Sequence, residues 1–363
     1  LCSAVLGSID ISGVLARVQF CIQCPIGFEE CTPIYRSLIS LSLLLTLLTV
    51  VLSAYIRLAE VGIGCEDWPA CYAQLDPGTE KKGITVLTSE GSDMAHYGAR
   101  VAHRYIASTL GLFIFVIFLV ALRQGGKRST SLLVPLTIFA ITVFLSLLGY
   151  YTPTRSNPMI TMGNLLGGMA LLGLLWWLLQ READSETVSA DTSGLRPLAL
   201  LTLGLVALQI VLGGWSSANY ASGSCPGLAR CEGKVLEPGN LEDAFNPMRR
   251  IELDQEGQVI RPDSLALLSM SHRVFALLTA AYLAWLVRKL RSHPALVGTA
   301  IALSVFSIGQ LVLGVSTVWF EVPLLLLSLH NCLAALLLLG SVNLLHRLVP
   351  HPESQPAGSA PPR

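Results

Sequence analysis

Eight stretches of this chain are each about twenty residues long and almost free of charge, and that single feature removes most folds from consideration. A helix needs ~20 apolar residues to cross the ~30 Å hydrocarbon core of a bilayer. The stretches fall at roughly 37–58, 101–122, 132–152, 159–180, 197–217, 266–287, 295–317 and 323–345. Inside lipid every backbone N–H and C=O must be paired within the spanning structure, which leaves helices or closed barrels. None of the eight shows the period-2 alternation of a barrel strand, and their scattered Gly, Ser and Thr suit helices that pack closely. Composition agrees, because 52% of the 363 residues are hydrophobic and 13% charged, about half the charge of a soluble domain. Lys and Arg (24) balance Asp and Glu (24), so the basic surface of a nucleic-acid binder is missing.

Lys and Arg in short loops set the orientation of such a bundle. Arg123, Lys127 and Arg128 follow the second span, Arg288, Lys289 and Arg291 the sixth, and Arg347 the eighth, while Arg181 and Arg196 bracket the loop after the fourth. Those loops and both termini are expected in the cytoplasm. The long loops 59–99 and 218–265, rich in Asp and Glu, then lie outside. Ahead of the first span, Cys21 and Cys24 have the spacing of a redox or metal pair. No partner motif follows them, and an extended or mis-assigned start explains residues 1–36 better. The tail 347–363, Pro- and Ser-rich, reads as disordered.

An internal repeat organises the chain. At an offset of 160 residues Val51-Leu52 aligns with Val211-Leu212, Cys65 with Cys225 and Cys71 with Cys231; at 165, Gly149 and Thr152 align with Gly314 and Thr317. His103-Arg104 opens the second span as His272-Arg273 opens the sixth. The fold class expected is therefore all-α integral membrane, eight transmembrane helices as two pseudo-symmetric four-helix bundles. The halves are 37–181 and 197–346, with a cytoplasmic linker at 182–196. Cys65–Cys71 and Cys225–Cys231 each close a loop of about seven residues on the oxidising side, where disulfides persist. They serve either as pins for the loop exits or as redox groups, and no nearby His completes a zinc set.

Three of the seven histidines fall inside apolar spans, where ionisable side chains are expensive and usually functional. His103, His272 and His330 all occur near the outer ends of spans running from outside to inside, at one depth. Two neutral imidazoles facing each other across a bundle make an axial pair for haem iron. His272 and His330 supply that pair in the second half. In the first half, His103 is expected to face the fourth span, where Asn164 stands in register with His330 and is a poor iron ligand. A bis-His haem suits electron transfer, and an open axial position suits a haem that is itself handled or oxidised. Arg104 and Arg273 at the outer edge either pair with haem propionates or snorkel to the interface. Gly167-Gly168 and Gly213-Gly214 permit close approach of a helix or of a flat porphyrin.

The residues that carry a resemblance are Ala54-Tyr-Ile-Arg-Leu-Ala-Glu-Val-Gly-Ile-Gly-Cys65-Glu-Asp-Trp-Pro-Ala-Cys71, His103-Arg-Tyr, Asn164-Leu-Leu-Gly-Gly168 ahead of Trp176-Trp177, His272-Arg273 and His330-Asn331. Over roughly 37–346 the chain resembles the haem A synthase family, membrane enzymes that oxidise a methyl group of haem O to the formyl group of haem A for cytochrome oxidase. The resemblance implies a resident haem b, iron-bound by His272 and His330, and haem O as substrate on His103 and the fourth-span position Asn164. It implies as partners an electron donor that the sequence does not identify, haem O synthase and cytochrome oxidase assembly proteins, within a lipid bilayer and compatible with a homo-oligomer. Two positions depart from the family pattern: Asn164 replaces the usual His, and Arg100 the usual Glu three residues before His103. Glu60 or Glu66 is the alternative source of a catalytic carboxylate. A bacterial inner membrane is expected rather than a mitochondrial one, because no Arg-rich, acid-poor presequence is visible.

Two other function classes are compatible with a haem-binding bundle. A b-type cytochrome passing electrons across the membrane needs haems at two depths, whereas all the axial candidates lie near the outer face. A transporter or haem-delivery scaffold fits the internal repeat, but such proteins usually carry broken helices and midplane charges, and spans 1, 3, 5 and 7 have neither. A nucleotide-driven activity lacks its Gly-x4-Gly-Lys-Ser/Thr loop.

Overall fold

The computed structural model describes residues 28–58, 90–124, 132–151, 157–183, 194–225, 227–228, 231, 239–252, 260, 262–320 and 324–349. Within them run eight long helices: α1 (Phe28–Leu58), α2 (Glu90–Gln124), α3 (Leu133–Tyr151), α4 (Pro158–Glu182), α5 (Arg196–Ala218), α6 (Ser264–Leu290), α7 (Val297–Trp319) and α8 (Leu324–Leu348). Each holds a segment long and apolar enough to cross a membrane, and the described residues contain no strand. The chain is an all-helical, multi-pass integral membrane protein.

Apolar counting located the spans and missed helical turns beyond them. α1 begins at Phe28 and α2 at Glu90, ahead of the expected 37 and 101. Counting hydrophobic residues sees only what lipid surrounds, and the apolar part of α2 starts at Gly98. Elsewhere the ends follow local chemistry. Asn157 caps α4 by accepting from Met159 N at 3.0 Å, and Pro158 occupies the first helical position, where no N–H is needed. Hydroxyls within the spans bond back to their own helix, as Thr46 does to Ser42 O at 2.7 Å and Ser341 to Leu337 O at 2.8 Å.

The order of neighbours is the same in the first four helices and in the last four. α1 and α3 each pack against both α2 and α4; α5 and α7 each pack against both α6 and α8. The diagonals are therefore α2 with α4 and α6 with α8. The two sets meet where α8 lies on α1 and α4, and α5 on α4. One apolar core, with Ile39, Ile114, Ile138 and Leu175, fills the first set. Another runs from Leu172 through Leu268 and Leu286 to Leu303 and Leu344 in the second and along the seam. Leu112, Phe144, Leu277, Ile308 and their neighbours stay exposed, which in a bilayer is contact with lipid and carries no penalty.

Two details of packing decide questions that the sequence left open. A Cβ on Gly167 would lie 2.6 Å from Leu145 Cδ2, and one on Gly168 3.1 Å from Val50 Cγ2. This glycine pair therefore admits α3 and α1, not a porphyrin face. His346, which the sequence places at a cytoplasmic interface, is fully buried and sits edge-on to Trp177 with ring centroids 4.9 Å apart. The α4–α8 seam covers it.

Candidate functional site

Across the α6–α8 diagonal, the rings of His272 and His330 face each other with centroids 6.4 Å apart and planes at 82°. A metal–imidazole bond of about 2.0 Å, with each centroid about 1.1 Å behind its donor nitrogen, puts two imidazoles on one ion at about 6.2 Å. The pair is thus spaced for a single metal between the rings. Among the described residues no group of three or more His, Cys, Asp and Glu is arranged to hold a metal ion. A two-nitrogen donor set needs an ion whose other ligands come with it, and a haem iron in its porphyrin is such an ion.

The helices behind the histidines are shaped to receive the rings. A Cβ on Gly213 of α5 would fall 2.7 Å from His272 Cε1, and one on Gly314 of α7 3.3 Å from His330 Cε1. Any larger residue at 213 displaces the ring. Gln209, one turn before Gly213, places its Nε2 2.9 Å from both His272 Nδ1 and the His272 carbonyl, while its Oε1 is buried with no partner. His330 Nδ1 and Gln310 Oε1 are likewise buried without a hydrogen bond, and the Gln310 backbone sits against the His330 ring.

Next to His272, Arg273 grips the loop that follows α5. Its Nη1 donates to Gly227 O at 2.5 Å and Leu228 O at 3.2 Å, and its Nη2 to Cys225 O at 3.1 Å. That loop is closed by the Cys225–Cys231 disulfide, the pairing expected from the spacing. A guanidinium has five donors, so Nε and one Nη2 hydrogen of Arg273 remain for an anion. Further along the same segment, Trp215 donates from Nε1 to Ala244 O at 2.8 Å, and Asp243 binds both Arg249 and Ser264.

The first four helices assemble less. His103 and Arg104 are partly buried on α2, with Arg100 one turn earlier on the same face, and Asn164 is partly buried on α4. The two helices stand on the corresponding diagonal, yet no hydrogen bond or ring contact joins His103 to Asn164 among the described residues. Glu60, Glu66, Cys65 and Cys71 lie outside the described residues. Sequence reasoning gave no role to Arg57, the last residue of the α1 span, which interacts electrostatically with Tyr220 just beyond α5. It also passed over Gln209 and Gln310. The signal for these two was present: Gln209-Ile-Val-Leu-Gly213 and Gln310-Leu-Val-Leu-Gly314 are nearly the same pentapeptide.

Comparison with known proteins bears on this arrangement. The family model described as "Cytochrome oxidase assembly protein" matches residues 36–342. A heme A synthase of Shewanella oneidensis is 33% identical over 314 residues, covering 85% of this chain and 94% of that protein. The match reaches into all eight membrane helices and includes both histidines of the facing pair, and the chain belongs to this family of cytochrome oxidase assembly proteins.

Proposed function

We propose that the protein is a haem A synthase, an oxidoreductase that converts the methyl group of haem O to the formyl group of haem A for cytochrome oxidase. The observation that carries the reading is the facing pair His272 and His330, spaced for one iron, in a chain of this family. In this reading His272 and His330 hold a resident haem b, which supplies one-electron redox chemistry when bound. Two protein ligands on one iron would leave no position there for substrate or oxygen and would suit electron transfer. Gly213 and Gly314 set how close each ring stands to its backing helix, and the apolar walls of α5–α8 exclude water. Arg273, with its two remaining donors, and Arg104 are the outer-edge cations for the haem carboxylates.

The substrate haem O is assigned to the first four helices (37–181), with His103 as its iron ligand and Asn164 across the diagonal. A weak or open position opposite His103 leaves the substrate haem reactive where the resident one is not. Glu60 and Glu66 are the candidate carboxylates at this site. The second unit (197–346) serves as the electron-transfer half, with 182–196 as a cytoplasmic linker. Both termini face the cytoplasm of a bacterial inner membrane, and the cysteine loops face outside, which the Arg and Lys content of the short loops supports. An electron donor, haem O synthase and cytochrome oxidase assembly proteins are the partners this role requires.

The test is the haem content of membranes from a host that makes haem O, with and without this protein, by chromatography and mass spectrometry. Appearance of haem A or its hydroxylated precursor is the expected result. Haem b and unchanged haem O on the purified protein would instead establish the second reading, a haem-binding relative without catalysis, which Asn164 at the expected His position favours.

A further inference from the structure

At the edge of a membrane span, a buried charged side chain is expensive unless something neutralises it. Arg57, the last residue of the α1 span, has no such neighbour. Its Nε is buried with no hydrogen-bond partner, and no carboxylate among the described residues pairs with it. The group it interacts with is Tyr220, just beyond α5, a phenol that stays neutral below about pH 10. Arg273, by contrast, spends its guanidinium on three backbone carbonyls. Tyr220 is itself held in an unusual conformation, with a positive φ of 56° that non-glycine residues rarely adopt. A buried guanidinium beside a neutral phenol is a site short of one anion.

Position narrows which anion. Val50, Ala54 and Arg57 recur at helical spacing and share a face of α1. On that face Val50 meets α4, its Cγ2 lying 3.1 Å from where a Cβ on Gly168 would be. The first and fourth spans run in opposite directions. Asn164 is therefore one turn outward of Gly168, and Arg57 two turns outward of Val50. Arg57 thus stands about one turn nearer the outer end than Asn164. The repeat places it in the same way. At the offset of 160, Ser53 aligns with Gly213, which backs the His272 ring, and Arg57 aligns with Ser217. Arg57 is one turn outward of the position that backs a ring in the other set, and that set has a serine in its place. A haem with its iron at the level of His103 and Asn164, and its carboxylate edge outward, brings those carboxylates to the level of Arg57.

We propose that Arg57 binds one carboxylate of the haem handled by the first four helices, at the outer rim of the α2–α4 diagonal. The inference rests on the reading above that this set takes a haem on His103. Arg104 of α2 and Arg57 of α1 then supply one cation for each of the two carboxylates. The ligand removes the penalty on the buried guanidinium, and the guanidinium favours a haem with free carboxylates over one whose carboxylates are blocked. A carboxylate has a second source, Glu60, three residues along the chain, and the experiment separates the two.

The experiment is an absorbance titration of the purified full-length protein, already carrying its resident haem. The probes are ferric protohaem and its dimethyl ester, in which both carboxylates are blocked. Wild type is compared with Arg57→Gln and His103→Ala. Wild type is expected to take up one further protohaem, lost in His103→Ala, and to bind the ester at least about tenfold more weakly. Arg57→Gln is expected to weaken protohaem about tenfold and to leave the ester nearly unchanged, with resident haem content as in wild type. Protohaem bound as in wild type, or both probes weakened equally, overturns the proposal and leaves the haem reading intact. Absence of His103-dependent uptake in wild type overturns the reading on which the proposal rests. Thermal unfolding adds a second measurement. Because the guanidinium waits for its anion, Arg57→Gln is expected to melt no lower than wild type before protohaem is added, and to gain less from it. A lower midpoint before addition, or failure to accumulate, means that Glu60 or another group of the chain already pairs with Arg57, and overturns the proposal.

Discussion

The last four helices and the first four share an order of neighbours and differ in what stands on the equivalent diagonal. On α6 and α8, two imidazoles face each other at 6.4 Å, each with a glycine behind it and a glutamine one turn away. On α2 and α4 stand one histidine, His103, and one asparagine, Asn164, and the glycines of α4 are filled by Leu145, Leu148 and Val50. One arrangement is organised to hold a ring pair still. The other uses its small residues to bring helices together, with no hydrogen bond between His103 and Asn164 among the described residues. What the contrast teaches is that two sets of helices with the same order of neighbours and the same His-Arg pair differ in what backs the ring.

The largest expected effect would come from the histidines themselves. His272→Ala or His330→Ala should abolish retention of the resident haem, read as pyridine haemochrome per protein. His103→Ala should leave that haem in place and eliminate haem A. Equal loss of resident haem in all three variants would erase the proposed division of labour. Next come the backing glycines. Gly213→Ala should reduce haem occupancy severalfold, because a Cβ 2.7 Å from a ring carbon forces His272 to move, whereas Gly314→Ala at 3.3 Å asks the ring to give by only a few tenths of an ångström. Titrating haem into both variants should therefore rank them in that order.

A smaller effect is expected outside the membrane. Cys225→Ser opens a loop of about seven residues and should cost about 2 kcal/mol, seen as a lower thermal midpoint with the haem spectrum unchanged at low temperature. Loss of the Soret band at low temperature would instead mean that the disulfide shapes the site. Least affected should be Asn164→Ala, within about 0.5 kcal/mol in stability and silent in the spectrum of the resident haem. Any shift of that spectrum would place Asn164 nearer the second site than the contrast allows.

Much of this was legible in the sequence because its signals are one-dimensional. Uncharged runs mark the spans, and His272 and His330 near the starts of two of them mark a diagonal. The Cys225–Cys231 pair needed only its spacing. The repeated Gln-x-Val-Leu-Gly at 209 and 310 was visible as a pattern, but the role of Gln209 was not: an uncharged amide in an apolar run is unremarkable until the ring it meets, on another helix, is known. Arg273 shows the same limit. Its side chain was read as meeting either a carboxylate or the interface, and it also gathers three backbone carbonyls of the disulfide loop, a partner with no sequence signature. His346 failed differently, since proximity to the end of a span says nothing about whether a neighbouring helix covers it.

The adjacent glycines of α5 serve opposite sides of that helix. A Cβ on Gly213 would strike His272, while one on Gly214 would lie 2.4 Å from Leu165 and 3.0 Å from the Met162 sulfur on α4. Mechanically α5 is a shim, a thin spacer with the His272 ring seated on one surface and, on the other, the stretch of α4 that carries Asn164. A shim this thin has no side chain to absorb a displacement at that level. Any displacement of α4 there reaches the back of the His272 ring with little lost, and the tolerance of each set of helices is set by the other.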